Sequence, residues 1–291
     1  MAISSIGLFL IAAICLRIMP SPSFALPDLD PNYPGPSVLA FGTASPTDVA
    51  PIPRLADLKR DLPSIYLNKC HQNIQGSEAI RCEFGDVESS RIAVLVGDSV
   101  AGQWLPALEK IAKEDGWKLI SITKSGCAYI SIPVRYKGKI YQSCIDWQKN
   151  ALQSIKDIRP SIIFASQADS YGYVSQEEMN AAFLSRWDEY KKIGAKVFVI
   201  ESTPKLSFDP AECLSENKNC QTALDKAYPK HRIQEIAKKR DVHYIDLNTS
   251  VCSSTSCDAI VGNVIAWRDK IHLSATFVRM MAPIIQTRIH M

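Results

Sequence analysis

Residues 91–99 read Arg-Ile-Ala-Val-Leu-Val-Gly-Asp-Ser, and Ala101 to Asp115 then places apolar side chains at Trp104, Leu105, Leu108 and Ile111. The unbroken apolar run from Ile92 to Val96 predicts a strand buried on both faces. The three- and four-residue spacing that follows predicts a helix, ended by Gly116. A buried strand, a glycine turn and a helix make half of a parallel β-α-β unit, and a serine in that turn stands at the carboxyl edge of the sheet, where such folds bind their ligands.

The same alternation continues outward. Strands are predicted at Lys118–Thr123, Ser161–Ser166, Ala195–Glu201 and Val242–Leu247. Helices are predicted from about Ile145 to Ile158, from Ser175 to about Ile193, around Gln221–Arg240 and after Ser274. Ser175 and Glu178 have the spacing of a capping box, and Pro160 stops the helix before it. The series predicts an open, mainly parallel sheet with helices on both faces, a three-layer α/β/α sandwich.

The chain has 291 residues, 46% hydrophobic and 22% charged, with a net charge of +3. This is an ordinary globular composition, which excludes disordered, collagen-like and multi-span membrane classes. The charges form no like-sign block, so nucleic acid is not an expected partner.

Ile6 to Leu16 (IGLFLIAAICL) is an apolar run of secretory length, and Ser23-Phe24-Ala25 offers a cleavage site after Ala25. No Lys or Arg precedes the run, and Arg17 follows it, so residues 1–25 are read either as a signal peptide or as an uncleaved anchor. Residues 26–69, rich in proline, are read as a spacer or wrapping arm, and residues 70–291 as the catalytic domain. Cys15 lies in the leader. The other eight cysteines are paired by locality alone: Cys70 with Cys82, Cys127 with Cys144, Cys213 with Cys220, and Cys252 with Cys257. Disulfides place the domain outside the cytoplasm. Neither a C-x-x-C knuckle nor a Cys/His cluster occurs, and no metal or cofactor is expected.

A serine nucleophile needs a base. His71, His231, His243 and His290 sit in surface or structural contexts. His272 stands in Asp269-Lys270-Ile271-His272, just before the final helix. An acid three residues ahead can accept the Nδ1 proton and leave Nε2 free to take one from Ser99.

Three blocks now carry a resemblance: VLVGDSVAGQWLPALEKIAKEDGWKLISITKSGC (94–127), ESTPKLSFDPAECLSENKNC (201–220) and CDAIVGNVIAWRDKIHLSATF (257–277). The sequence resembles the SGNH/GDSL hydrolase superfamily, a flavodoxin-like fold. More narrowly, it is similar to the extracytoplasmic SGNH domain of membrane-bound acyltransferase-3 proteins, which O-acetylate cell-surface polysaccharides. The likeness covers roughly residues 64–288.

The resemblance implies Ser99 as nucleophile, His272 as general base and acid, and Asp269 as its orienter. Where the superfamily has an oxyanion-binding Asn, this chain reads Ala165-Ser166-Gln167-Ala168-Asp169, and it has Val100 where many fused domains have histidine. The oxyanion donors are expected to be the backbone N–H groups of Ser99 and Gly126, with the Gln167 side chain a third. Gln103, Trp267 and Arg268 are expected to line the substrate site, although Trp104 and Trp267 also suit a core.

The implied reaction is acyl transfer from a donor to a cell-surface or cell-wall glycan, which needs no cofactor. The fused proteins carry a multi-span acyl-delivering domain. This chain has one hydrophobic segment at most, so a separate integral-membrane acyltransferase, an extracellular donor, or a truncated reading frame is implied. An extracytoplasmic carbohydrate esterase or deacetylase, and a glycan-binding module without catalysis, are the alternatives.

Overall fold

The computed structural model describes residues 30–290 apart from 170, 172–173 and 230–232. The expected leader and His231 lie outside the described residues.

Strands β1 (His71–Gln72), β2 (Cys82–Gly85), β3 (Ile92–Gly97) and β4 (Lys118–Lys124) come first, and a small hairpin, β5 (Arg135–Tyr136) and β6 (Lys139–Ile140), follows. Then come β7 (Ile162–Ser166), β8 (Lys196–Ile200), β9 (Gln221–Ala223) and β10 (His243–Ile245). The last are β11 (Ser256–Asp258), β12 (Ile260–Val261) and β13 (Val264–Ile265). The central sheet has seven strands, ordered β1-β4-β3-β7-β8-β10, with β2 antiparallel on the first half of β4 and β1 parallel on its second half. All five predicted strands are present and mutually parallel. The sheet separates two apolar layers because side chains alternate along each strand. Ala93, Leu95, Phe164 and Phe198 pack on one face, and Val94, Val96, Ile163 and Val197 on the other.

Helices α1 (Ser37–Phe41) and α2 (Ser64–Leu67) belong to the N-terminal arm, and α3 (Ser99–Gly102) and α4 (Leu105–Glu114) follow β3. The predicted single helix from Ala101 to Asp115 is therefore two, broken at Gln103-Trp104. Helix α5 (Gln142–Ile158) and helix α6 (Gln176–Lys192) cover the opposite face, and Ser175 and Glu178 close the expected capping box. Helices α7 (Pro210–Ser215), α8 (Leu224–Ala227) and α9 (Gln234–Lys238) follow, and the chain ends in α10 (Ala275–Met280) and α11 (Ala282–Ile289), which pack on α4.

The long helix predicted over Gln221–Arg240 is a misreading. Gln221–Ala223 pairs antiparallel with Ser256–Asp258, placing Thr222 opposite Cys257. The Cys213–Cys220 and Cys252–Cys257 disulfides adjoin this small sheet, and Pro229 cannot continue α8. Cys70–Cys82 and Cys127–Cys144 complete four local disulfides, paired as the spacing suggests.

The proline-rich arm lies along the domain. Gly35 N–H donates to Gly262 O (2.9 Å), Ile52 N–H to Asn263 O (3.1 Å), and Ile265 N–H returns to Ile52 O (2.7 Å), so the arm is stitched to the β12–β13 hairpin. Leu58 and Ile65 are fully buried. Ile65 reaches over Gly102, where an added Cβ would lie 2.6 Å from its terminal methyl. Asp61 caps α10, accepting Ala275 N–H at its carbonyl (3.1 Å) and Thr276 N–H at its carboxylate (2.9 Å). None of the described helices is long and apolar enough to cross a membrane.

Candidate active site

The nucleophile turn is built on Gly97. Its φ is +149°, and a Cβ there would sit 1.8 Å from Ser166 O on the neighbouring strand, so only glycine lets β3 and β7 approach this closely. Asp98 turns inward and caps α3, accepting from Val100 N–H (2.8 Å), Ala168 N–H (2.9 Å) and the Tyr171 hydroxyl. Burial pushes the Asp98 carboxyl above its ordinary range, against the pull of these three donors. It also raises Tyr171 well above the usual phenol value. Asp98 thus joins the nucleophile turn to the loop after β7. Ser99 begins α3 and remains partly exposed at the carboxyl edge of the sheet.

The second half of the site is a tight turn from Trp267 to Leu273. These two residues form an antiparallel bridge, and Arg268 N–H donates to His272 O (3.0 Å). Asp269 folds its carboxylate back over the turn and accepts from Ile271 N–H and His272 N–H, both at 2.8 Å. The same carboxylate lies 2.9 Å from His272 Nδ1, and His272 Nε2 lies 2.8 Å from Ser99 Oγ. Burial alone would raise Asp269, but the imidazole and the two backbone donors outweigh it and hold its pKa at about 2. An ionised carboxylate only accepts, so the proton between the two side chains sits on Nδ1 and leaves Nε2 to accept from the Ser99 hydroxyl.

The structure thus brings Ser99, His272 and Asp269 together, and it moves the three residues expected to line the substrate site into the interior. Gln103 is fully buried. Its Oε1 accepts Leu273 N–H (2.9 Å), and its Nε2 donates to Thr203 Oγ1 (3.3 Å). Trp267 is likewise fully buried beneath the turn, its Nε1 directed at Pro204 O (3.4 Å), and offers no face to a sugar. Arg268, 5% exposed, braces Leu273 O (3.4 Å), lies 3.6 Å from Asp269 and stacks over the Tyr66 ring at 5.5 Å.

The expected third oxyanion donor is held by its carbonyl end only, and the Gln167 Nε2 donor is buried with no hydrogen-bond partner among the described residues. Gln167 accepts Tyr129 N–H (3.2 Å) at Oε1 and lines a cavity of about 10 Å³ with Tyr129, Ser166, Glu201 and Ser202. Gly126 is exposed in the turn after β4, with a φ of +55°. It lies just beyond the level at which Thr123 pairs with Gly97. The N–H groups of Ser99 and Gly126 have no hydrogen-bond partner among the described residues.

Two residues beside the site have no signal in the sequence: Tyr66 from α2 and His71 from β1. Their rings meet at 5.0 Å, and His71 Nδ1 lies 2.8 Å from Thr123 Oγ1. Burial, helped by the nearby Lys124 and Arg268 cations, lowers the His71 pKa to about 4, so its ring is neutral at neutral pH. The other described histidines are structural: His243 lies against Phe198 at 4.9 Å, and His290 pairs with Asp115 at 3.0 Å.

The profile of the SGNH domain fused to AT3 domains matches residues 69–287. No curated protein matches the sequence closely enough to be called a relative. Among solved structures, the chain is similar to the periplasmic domain of a lipopolysaccharide acetyltransferase of Salmonella ser. Paratyphi A. The TM-score is 0.61 at 14% identity, covering 82% of this chain and 98% of that one. It is more distantly similar to a GDSL-like lipase of Bacteroides thetaiotaomicron, with a TM-score of 0.42 at 13% identity, covering 69% and 88%. Because the profile spans well over half of its residues, this chain belongs to the family of SGNH domains found fused to AT3 domains, and is an SGNH-type acyltransferase or ester hydrolase.

Proposed function

We propose that this protein performs serine-dependent acyl transfer outside the cytoplasm, O-acetylating a cell-surface or cell-wall glycan through Ser99, His272 and Asp269. The observation that carries the reading is the 2.8 Å contact between Ser99 Oγ and His272 Nε2, continued at 2.9 Å from Nδ1 to Asp269. In this reading Ser99 Oγ attacks the acyl carbonyl while Nε2 takes its proton, and Asp269 stabilises the imidazolium. The N–H groups of Ser99 and Gly126 receive the developing oxyanion at the start of α3. His272 returns the proton to the leaving group. It then removes one from a sugar hydroxyl, whose oxygen attacks the acyl-enzyme carbonyl, and passes that proton to Ser99 Oγ as the ester bond to Ser99 breaks.

Transfer rather than hydrolysis is favoured by membership in a family fused to AT3 domains and by the similarity in fold to a lipopolysaccharide acetyltransferase domain. By the same reasoning, a separate membrane acyltransferase supplies the acyl group. The four disulfides support an extracytoplasmic location. We read residues 1–25 as the export leader or anchor and residues 70–291 as the catalytic unit.

Release of p-nitrophenol from p-nitrophenyl acetate tests the chemistry: Ser99→Ala is expected to lower it by about 10³-fold or more. Equal background release from both proteins would refute the enzymatic reading in favour of glycan binding alone. Mass spectrometry of the acyl-enzyme with and without a polysaccharide acceptor then separates the outcomes. Acceptor-dependent discharge with acetylated glycan supports transfer, and discharge into water alone makes the protein an esterase.

A further inference from the structure

The stretch between Asp115 and Asp146 contains no Asp or Glu and five cations, Lys118, Lys124, Arg135, Lys137 and Lys139. Three of the five lie within the β5–β6 hairpin. Lys137 and Gly138, with φ of +50° and +78°, form its two-residue turn, and Arg135 Nη1 braces the turn by donating to Gly138 O (3.2 Å). All four strand residues of the hairpin are exposed. Tyr136 is 42% exposed and Ile140 is 60% exposed. Lys137 and Lys139 form no ion pair with any described residue.

A two-stranded hairpin of this length does not stand by itself, and its base is firmly held. Val134 and Tyr141 are buried, and Tyr141 N–H donates to Val134 O (2.9 Å). The Tyr141 hydroxyl donates to Ser125 O (2.9 Å), and the buried Lys124 ammonium lies 4.9 Å from the Tyr141 ring. Ser125 directly precedes Gly126. The cationic hairpin is therefore anchored to the turn that carries the proposed oxyanion donor, at the carboxyl edge where Ser99 sits. The hairpin follows β4, on one side of β3. The catalytic turn packs beside the segment after β8, on the other side, with Leu206 N–H donating to Lys270 O (2.8 Å), and it exposes the Lys270 side chain, again without an ion pair among described residues.

Resting on the acyl-transfer reading, we infer that the β5–β6 hairpin is the docking surface for the acceptor and that this acceptor is an acidic polysaccharide, bearing uronate or other anionic groups along its length. Unpaired ammonium groups on both sides of the nucleophile would hold a polyanionic strand across Ser99, while an isolated ester would gain nothing from them. The half-exposed Tyr136 ring, 5.8 Å from Tyr141 and with Lys137 Nζ 5.4 Å from its centre, places an aromatic surface and a cation together, which suits an acidic sugar ring. A membrane surface is the weaker match, because Ile140 is the hairpin's one exposed aliphatic side chain and its neighbours are polar.

The experiment is equilibrium binding of the purified protein, as wild type and as Ser99→Ala, to polygalacturonate and to the same polymer with its carboxylates reduced. Both proteins should bind the acidic polymer, more weakly as salt rises, and neither should bind the neutral one comparably. Lys137→Glu/Lys139→Glu should weaken binding about tenfold or more, since each reversal removes one attraction and adds one repulsion. Lys113→Glu/Lys238→Glu, the same charge change on α4 and α9, should leave binding intact, and an unchanged melting temperature in each variant confirms folding. Equal affinity for both polymers, or equal loss from both lysine pairs, overturns the proposal. So does hairpin-dependent binding to vesicles of equimolar phosphatidylcholine and phosphatidylglycerol without binding to polygalacturonate. Binding is read without turnover, so failure of the two readings can be told apart. A protein active on p-nitrophenyl acetate but indifferent to the acidic polymer refutes the docking surface alone. An inert protein that still binds through these lysines refutes the acyl transfer alone.

Discussion

The Gln103 side-chain carbonyl accepts the backbone N–H of Leu273 at 2.9 Å, linking the helical turn that begins at Ser99 to the residue immediately after His272. Both groups are buried, and the Gln103 amide continues to Thr203. The two halves of the site, 173 residues apart in sequence, are thereby held in register by a bond that touches neither reacting atom. Gln103→Leu should leave the Leu273 N–H buried and unpaired, at a cost of about 1–3 kcal/mol in stability. A loosened Ser99–His272 contact should also reduce kcat by about tenfold or more with a smaller change in KM. Urea unfolding and steady-state kinetics on the same preparation check both. An unaltered kcat in a destabilised variant would limit Gln103 to a structural part.

Asp269→Asn should lower kcat by about 10³- to 10⁴-fold while the fold survives, because an amide no longer selects the tautomer with a free Nε2. Ser99→Ala and His272→Ala should each cost at least as much, and the double variant no more than the worse single one. Losses that simply multiply would show that the residues do not act as a unit.

Gly97→Ala is expected to abolish folding or to cost upward of about 4 kcal/mol, since the new methyl would have to displace the Ser166 carbonyl from the centre of the sheet. Thermal unfolding monitored by circular dichroism measures this. A variant within about 1 kcal/mol of wild type would mean that β3 and β7 can separate freely, against the register seen here.

His71 makes stability depend on pH in a definite direction. Its pKa falls from 6.5 to about 4 in the folded chain, so between these values the unfolded state binds a proton that the folded state does not. Folding should therefore weaken as pH drops from 6.5 towards 4, by up to about 3 kcal/mol from this group. His71→Gln should flatten that segment of the profile relative to wild type. Parallel curves for the two proteins would sink the assignment.

The parallel strands β3, β4, β7 and β8 were legible because each is rich in apolar, β-branched residues and lies between helix-forming stretches, as expected of a sheet covered on both faces, and β10 was legible from its place in that alternation. The edge strands β1 and β2 were not legible, being short and polar and owing their place to pairing with β4 and to the Cys70–Cys82 link. Around Gln221 the polar composition suited a helix, but long-range pairing with Ser256–Asp258 prevailed, as tertiary contacts regularly do over propensity. At the site, the sequence pointed to the three residues that converge, since each sits in a turn after or before a recognisable element. Gln103, Trp267 and Arg268 were misread for one common reason: nearness in sequence to Ser99 or His272 does not tell whether a side chain faces the crevice or the core. Tyr66 reaches the site from the arm and His71 from the edge strand β1, and nothing in their spacing could have announced it.

Because the family match begins at residue 69, an expression start chosen at that boundary would remove Ile65 from its seat over Gly102 and Tyr66 from the face of Arg268. It would also strip the cap that Asp61 gives α10 and the seam along β12–β13. Such a shortened protein would present a raw apolar gap next to the nucleophile and invite precipitation. Anyone producing this domain should treat the preceding forty or so residues as its missing wall.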